Sequence, residues 1–192
     1  DDAPAASPFT FEASTRVRHE TLSDAYRAGR EGSDQQLSWR TRALAEYDAG
    51  ALSFGGEFFD SRAYLTDDGS FLTSTAINTL EILQAYVRAE FEGGEIQAGR
   101  FVMNIGSRRL AGENSFRNFP ASFEGVRGAF ALSADLTLDA FYTAPVSRRP
   151  GDRASLLDND HEFDEGDWDT RFWAAHLTRE ELAPGVTGEV YL

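Results

Sequence analysis

The sequence predicts an all-β fold, an antiparallel up-and-down transmembrane β-barrel, on the strength of three observations. Most of the chain divides into segments in which apolar and polar residues alternate, as in a strand with one apolar face. Short polar turns recur at intervals of roughly 40 to 50 residues, with a long irregular loop inside each interval. No stretch approaches the ~18 consecutive apolar residues of a membrane helix, whereas a barrel strand shows lipid only at every second residue.

Four short connections define the turns. They are Asp48-Ala49-Gly50, Glu92-Gly93-Gly94-Glu95, Ser133-Ala134-Asp135 and Leu182-Ala183-Pro184-Gly185. Turns with Asp and Gly commonly close β-hairpins. Because each interval holds two strand-like segments, the pattern predicts short turns at one end of the sheet and long loops at the other.

The alternation defines nine predicted strands. In the first predicted strand, Phe9 and Phe11 fall on one face, whereas Arg16 and Arg18 fall on the other. The segment ending at Phe91 also fits helical spacing, and its neighbours favour a strand. The segments are 9–21, 37–48, 52–58, 83–91, 96–105, 125–132, 136–142, 171–179 and 186–192, of which the fifth and the eighth alternate less regularly. The clear segments have about the 9 to 11 residues that cross a tilted bilayer path.

The number of segments bears on domain organisation. Bacterial barrels close with an even number of strands, and nine is odd. We therefore expect residues 9–192 to be the N-terminal part of a single barrel domain, truncated at the C-terminus. Residues 1–8 begin with Asp and read as the polar start of a mature exported protein.

Composition excludes several function classes. The net charge of −14 argues against nucleic acid as a partner, and every one of the 18 basic residues is arginine. The chain has no cysteine, which removes disulfides and thiolate metal sites. The histidines His19, His161 and His176 are isolated, and no G-x-S-x-G or H-E-x-x-H motif occurs, so we expect no enzymatic activity.

Arginine occupies the polar parity of the strands. The arginines placed there by alternation are Arg16, Arg18, Arg40, Arg42, Arg88 and Arg127. If the apolar parity faces lipid, these guanidinium groups point into a lumen, where they would select anions. The alternative is that they pair with glutamates on neighbouring strands and stabilise the wall.

Short elements in the middle of the chain carry a family resemblance. They are Asp60-Ser61-Arg62, Gln84-Ala85-Tyr86-Val87, Gly99-Arg100, Arg108-Arg109-Leu110-Ala111-Gly112, Phe116-Arg117-Asn118 and Phe123-Glu124-Gly125-Val126-Arg127. In this order and spacing, over roughly residues 9–145, the chain resembles the alginate-export family of outer-membrane porins. Phe101, Phe116 and Glu124 depart from the residues common in that family.

The resemblance implies a function and a set of residues. It implies an 18-stranded barrel in the bacterial outer membrane that passes an anionic polysaccharide, an alginate-like polyuronate, or another anionic solute through an arginine-lined lumen. By motif position the pore-lining candidates are Arg62, Arg88, Arg100, Arg109 and Arg127. The expected partners are anionic polysaccharide or small anions, the lipid bilayer, lipopolysaccharide and periplasmic export components.

An acidic loop over 152–169 invites a calcium interpretation. Asp158, Asp160 and Glu162 offer hard oxygen ligands, but Phe163 stands where a calcium loop of the EF-hand type requires Gly. A solvated loop without metal is the favoured interpretation, and we expect no cofactor.

Two other functions remain open at the level of sequence. A general diffusion porin would share the barrel without the polyuronate cargo. A soluble β-sandwich that binds carbohydrate through its loops would show the same alternation, with the apolar parity facing a core.

Overall fold

The computed structural model describes residues 7–23, 33–67, 70, 76–108, 111–113 and 118–192. These residues form one antiparallel sheet with nine long strands and one strand of two residues. The strands are β1 (Phe9–Leu22), β2 (Asp34–Asp48), β3 (Leu52–Tyr64), β4 (Asn78–Phe91), β5 (Gly94–Phe101), β6 (Phe123–Ser133), β7 (Leu136–Ser147), β8 (Glu165–Gly166), β9 (Phe172–Ala183) and β10 (Val186–Tyr191). The predicted all-β antiparallel meander is confirmed.

The sheet order follows the chain. Each long strand pairs with the next long strand, and β8 pairs with the end of β7. The four predicted turns join β2 to β3, β4 to β5, β6 to β7 and β9 to β10. Gly50, Gly93 and Gly185 have positive φ in three of them, which is the backbone conformation that makes glycine the favoured residue there. All four turns lie at one end of the sheet, and the long connections lie at the other.

The strand pairing sorts side chains onto two faces, because directly opposed residues point to the same side. The apolar face carries exposed side chains that include Phe9, Phe11, Val17, Trp39, Tyr47, Phe54, Phe58, Val87, Phe91, Ile96, Val126, Tyr142 and Trp173. The polar face carries Arg16, Arg18, Arg40, Arg42, Glu57, Arg88, Gln97, Arg127 and Asp139. The amphipathic sheet predicted from alternation is therefore present.

The apolar face is not a core. Phe9, Phe11 and Trp173 have 66%, 70% and 63% of their surface exposed. Aromatic residues exposed to this degree over a continuous sheet face indicate contact with something other than water.

The polar face holds apolar clusters of its own, and two predictions change for this reason. The sequence predicts a strand over 96–105, but β5 ends at Phe101. Met103 and Ile105 then turn onto the polar face and are buried against Phe101 and Phe141. Strand pairing ends there because packing of these side chains replaces the ladder.

The second change concerns Leu83, which alternation predicts to lie on the apolar face together with Ala85. The register between β3 and β4 shifts by one residue, since Glu57 pairs with Gln84 and Phe58 pairs with Ile82. Leu83 is the extra residue of this β-bulge, and it is fully buried with Phe59 in a cluster on the polar face.

Helix is scarce in this fold. The helix α1 (Arg153–Asp158) has six residues, and the side chain of Asp152 caps its N-terminus by accepting a hydrogen bond from the Ser155 backbone N–H. Within the described ranges, no helix is both long enough and apolar enough to cross a membrane.

Gly99 offers a test of the sheet geometry. Its φ is +123°, and a Cβ there would lie 2.3 Å from the Ala85 carbonyl oxygen. We expect Gly99→Ala to destabilise the folded protein by about 2 kcal/mol or more, through strain and steric clash. The measurement is the urea midpoint of unfolding of the refolded protein.

Gly56→Ala is the matched control for this experiment. Gly56 lies on β3 beside Ala85 in the register, and a Cβ there would meet nothing within 4 Å. Its midpoint should stay close to that of the wild type. Equal midpoints for the two variants would contradict the assignment of strain to Gly99.

Candidate functional site

The densest positive charge on the polar face lies on β1 and β2. Arg16 stands directly opposite Arg40, Arg42 stands opposite Ser14, and Arg18 stands opposite Ser38. Opposed like charges destabilise a strand pair. Four guanidinium-bearing residues therefore lie together on two adjacent strands of the polar face.

Carboxylates balance part of this charge. The Arg42 Nε lies 2.6 Å from Glu57 Oε1, and its Nη1 lies 2.5 Å from Glu113 Oε1. Arg18 forms an ion pair with Glu20 at 2.9 Å. The Glu57 side chain is 3% exposed, so the Arg42 pair with Glu57 is largely shielded from water. The predicted pairing of arginines with wall glutamates is thus present alongside the cluster.

Arg88 and Arg127 carry the positive charge further along the sheet. Arg88 forms an ion pair with Glu46, whose other oxygen accepts a hydrogen bond from the Tyr86 hydroxyl at 2.7 Å. Arg127 lies 3.4 Å from Asp139, which is a long ion pair. Both arginines keep about a fifth to a quarter of their side-chain surface exposed, so each can meet a solute in front of the sheet.

The connection between β5 and β6 lies across the polar face. Residues 102–108, 111–113 and 118–122 of it are described. At one end, Ser107 Oγ donates to Glu189 Oε2 of β10 at 2.9 Å. In the middle, Glu113 binds Arg42 of β2. This connection, the crossing loop, narrows the space in front of the arginines.

The far end of the crossing loop is anchored by two buried residues. Asn118, 2% exposed, donates to the Ser61 Oγ and to the Ala76 carbonyl oxygen, and it accepts from the Arg16 Nη2 at 3.2 Å. Phe119 packs edge-on against Phe59 with ring centroids 4.7 Å apart. Sequence reasoning used Asn118 only as part of a motif, and no periodic signal marks a loop residue that becomes buried.

The predicted pore-lining residues do not all share one face. Arg88 and Arg127 lie on the polar face. Arg62 stands directly opposite Trp39 on the apolar face, and its Nε binds both carboxylate oxygens of Asp60 at 3.0 and 3.1 Å. The placement of Arg62 therefore does not support the lining role that motif position suggested. Arg109 lies outside the described residues.

Arg100 also occupies an apolar-face position, since it stands opposite Ala85 and Glu124. Its guanidinium reaches past the end of β5. Nε and Nη2 donate to Glu124 Oε1 at 3.0 and 2.7 Å, and Nη1 donates to Glu81 Oε1 at 3.0 Å. Nη2 also donates to the Asp164 carbonyl oxygen at 3.0 Å. Through these contacts Arg100 joins β4, β6 and the acidic loop, and its guanidinium is not available in front of the polar face.

Residues 159–166, the closing segment, fill the wall where β5 and β6 stop. Asn159 pairs by its side chain with the backbone N–H and carbonyl of Ala63 in β3, at 2.9 Å each. His161 Nε2 lies 3.3 Å from the Leu80 carbonyl oxygen of β4. At its other end the segment forms β8 and pairs with β7. The closing segment therefore bridges β3 and β4 to β7 above the ends of the two shorter strands.

Asp164 lies at the centre of the closing segment and is 4% exposed. It accepts hydrogen bonds from the Arg149 backbone N–H and from Asn78 Nδ2, each at 2.7 Å. Burial, aided by the nearby charge of Glu81, raises the pKa of Asp164 to about 6.

The acidic loop does not gather a metal site. Asp158, Asp160 and Glu162 are exposed, and Arg149 binds Glu162 at 3.2 Å. Within the described part of the chain, no three acidic or histidine side chains approach closely enough to hold a metal ion. The calcium interpretation finds no support in this arrangement.

The raised pKa of Asp164 gives a pH dependence with a definite sign. Its folded pKa of about 6 exceeds the unfolded value near 3.8, so the folded state holds the proton more tightly. The contribution of Asp164 to stability is therefore fully present below pH ~4 and is lost as the pH rises through ~6. We expect the difference between the two urea midpoints, wild type minus Asp164→Asn, to decrease as the pH is raised from 4 to 7.

Subtracting the Asp164→Asn variant removes the titration of other groups common to both proteins. Asn keeps an acceptor for Arg149 and cannot ionise. A midpoint difference that is constant across this pH range, or that rises with pH, would show that burial does not destabilise the ionised carboxylate of Asp164.

One comparison places the chain among known proteins. The family model described as alginate export matches residues 7–183. No curated protein matches the chain by sequence. The family is one of porin-type transporters of the outer membrane rather than of enzymes. The single sheet with opposite polar and apolar faces agrees with this match, and the chain belongs to the alginate-export family.

Proposed function

We propose that this chain forms part of the wall of an outer-membrane channel that conducts an anionic polysaccharide of the alginate-like, polyuronate type. The main support is that the six arginines that alternation assigned to the polar face all lie there. Exposed aromatic and aliphatic side chains cover the opposite face. A sheet with this division suits a barrel that has lipid outside and water inside.

The apolar face supports the membrane part of the proposal. Its exposed aromatic residues would be costly in water and are favourable in a bilayer. A sheet edge left unpaired in lipid is also costly, so we propose that further strands close the sheet into a barrel. The family resemblance implies 18 strands.

The polar face supports an anionic cargo. Guanidinium groups bind carboxylates through two parallel hydrogen bonds, and a uronate unit carries one carboxylate. The arginine cluster on β1 and β2, followed by Arg88 and Arg127, would present several such positions along a polymer. Narrowing by the crossing loop would keep the cargo close to them.

Two alternatives receive less support. A soluble sandwich needs two sheets with their apolar faces packed together, whereas the described residues form one sheet whose apolar face is exposed. In a general diffusion porin, opposed arginines such as Arg16 and Arg40 would favour small anions without holding a polymer. Ion selectivity in bilayers separates this second alternative from the proposed channel.

The selectivity test replaces Arg88 and Arg127 together with Gln. We expect the anion-to-cation permeability ratio to fall severalfold and block by oligouronates to weaken, because two cations leave the conduction path. The measurements are the reversal potential in a salt gradient and the current in the presence of oligouronate, with the protein in a planar bilayer.

Arg62→Gln is the control, because it removes one positive charge of the same kind from the opposite face. Its permeability ratio should equal that of the wild type. Cation preference in the wild-type protein, or equal loss of selectivity in control and test variants, would refute the anion-conducting function.

A further inference from the structure

Glu113 of the crossing loop contacts the arginine cluster on the polar face. Its Oε1 accepts a hydrogen bond from Arg42 Nη1 at 2.5 Å. The charge of Glu113 also acts on Arg40, the next arginine on that face of β2. A glutamate side chain presents to a guanidinium the same chemical group as a uronate unit, a carboxylate. Glu113 therefore occupies a position that suits a carboxylate of the proposed cargo equally well.

Arg42 has a second carboxylate partner, which belongs to the sheet. Arg42 Nε donates to Glu57 Oε1 at 2.6 Å, and Gln84 Nε2 donates to Glu57 Oε2 at 2.6 Å. Both oxygens of Glu57 thus accept from strand residues, and its side chain is 3% exposed. The side chain of Glu113 comes from a loop and is 27% exposed. Arg42 therefore keeps a buried counter-ion when its contact with Glu113 opens.

The backbone beside Glu113 is held by contacts that do not use its carboxylate. The Ile105 N–H donates to the Ala111 carbonyl oxygen at 2.9 Å, and both side chains are buried together with Met103. The Glu113 N–H donates to Asn104 Oδ1 at 2.7 Å. The carboxylate of Glu113 can thus rotate away from the sheet while this part of the crossing loop keeps its place.

Replacement of Glu113 by a cargo carboxylate leaves the number of ion pairs at Arg42 unchanged. A partly exposed ion pair is weak because water screens it, so a carboxylate from solution can compete for Arg42 Nη1. A competitor within the same chain lowers the apparent affinity for cargo, in proportion to the fraction of time for which the position is open. Conduction benefits from this reduction, since a polymer that binds too tightly does not leave a channel.

We infer that Glu113 is a resident carboxylate that exchanges at Arg42 with the carboxylates of the passing polyuronate. It holds the position between cargo units and returns as each unit leaves, so that cargo binding stays weak enough for release. This inference rests on the proposed function, because it requires a carboxylate-bearing cargo in front of the polar face.

The test replaces Glu113 with Gln, which keeps the length of the side chain and its capacity to accept a hydrogen bond but removes the charge. The full-length protein is inserted into a planar bilayer, and an oligouronate of defined length is added. The measurements are the oligouronate concentration that halves the current and the mean duration of single block events.

Glu12→Gln is the matched control, because it removes the same charge from the same face. Glu12 is exposed on β1 opposite Leu44, one same-face pair away from the pair of Ser14 and Arg42. A general effect of charge on the polar face would change both variants equally, whereas exchange at Arg42 involves Glu113 alone.

We expect Glu113→Gln to reach half block at a severalfold lower oligouronate concentration than the wild type, with longer block events, because the competing carboxylate is gone. Glu12→Gln should stay close to the wild type. If Glu113 only anchored the crossing loop, its loss would widen the path and weaken the block. Unchanged or weakened block in Glu113→Gln would therefore overturn the inference, and so would an equal gain in Glu12→Gln.

Ion selectivity of the same preparations separates this inference from the proposed function. Wild-type channels that prefer anions, with the same block in wild type and Glu113→Gln, overturn exchange at Glu113 and leave the channel standing. Block that appears only in Glu113→Gln supports exchange. Cation preference with no block in either protein overturns both proposals, because no cargo carboxylate then reaches Arg42.

Discussion

The structure depends on one constraint, the pairing of every long strand with the next along the chain in a nearly unbroken antiparallel register. With a side-chain period of two, a shift by one residue would exchange the two faces of a strand. The division between arginines and aromatic residues therefore holds only as long as the register holds. A lipid-facing arginine costs about 2 to 4 kcal/mol at the bilayer midplane, so register errors in such a wall are strongly disfavoured.

The polar face combines clustered positive charge with packed apolar side chains. It concentrates like charges on β1 and β2, and it also packs apolar residues from the crossing loop. Glutamates offset part of the charge at Arg18, Arg42 and Arg88. What remains is a surface rigid enough to hold guanidinium groups in place and polar enough to stay wet.

Alternation assigned most strand residues to the correct face, whereas motif position selected arginines on both faces, with Arg88 and Arg127 on the polar one. The arginines assigned to the polar parity by counting residues all lie there. Arg62 and Arg100 were selected by resemblance, and both occupy apolar-face positions. Short motifs mark a place along the chain, but the face of a residue depends on register with its neighbours.

The positions of residues in loops and bulges could not be predicted from the sequence. The placement of Leu83 depends on a bulge, which shifts parity without a local signal. Asn118 and Asp164 become buried through contacts with strands far away in the chain. Such contacts depend on the finished sheet, so no periodic pattern in the sequence records them.

The crossing loop has a geometric consequence for the sheet that carries it. It contacts β10 through Ser107 and β2 through Glu113, and these two strands lie seven spacings apart in the sheet order. The separation of β2 from β10 is therefore restrained by side-chain contacts of one short loop as well as by the ladder of strands between them. Movement of either strand would be transmitted to the other through a segment that belongs to neither.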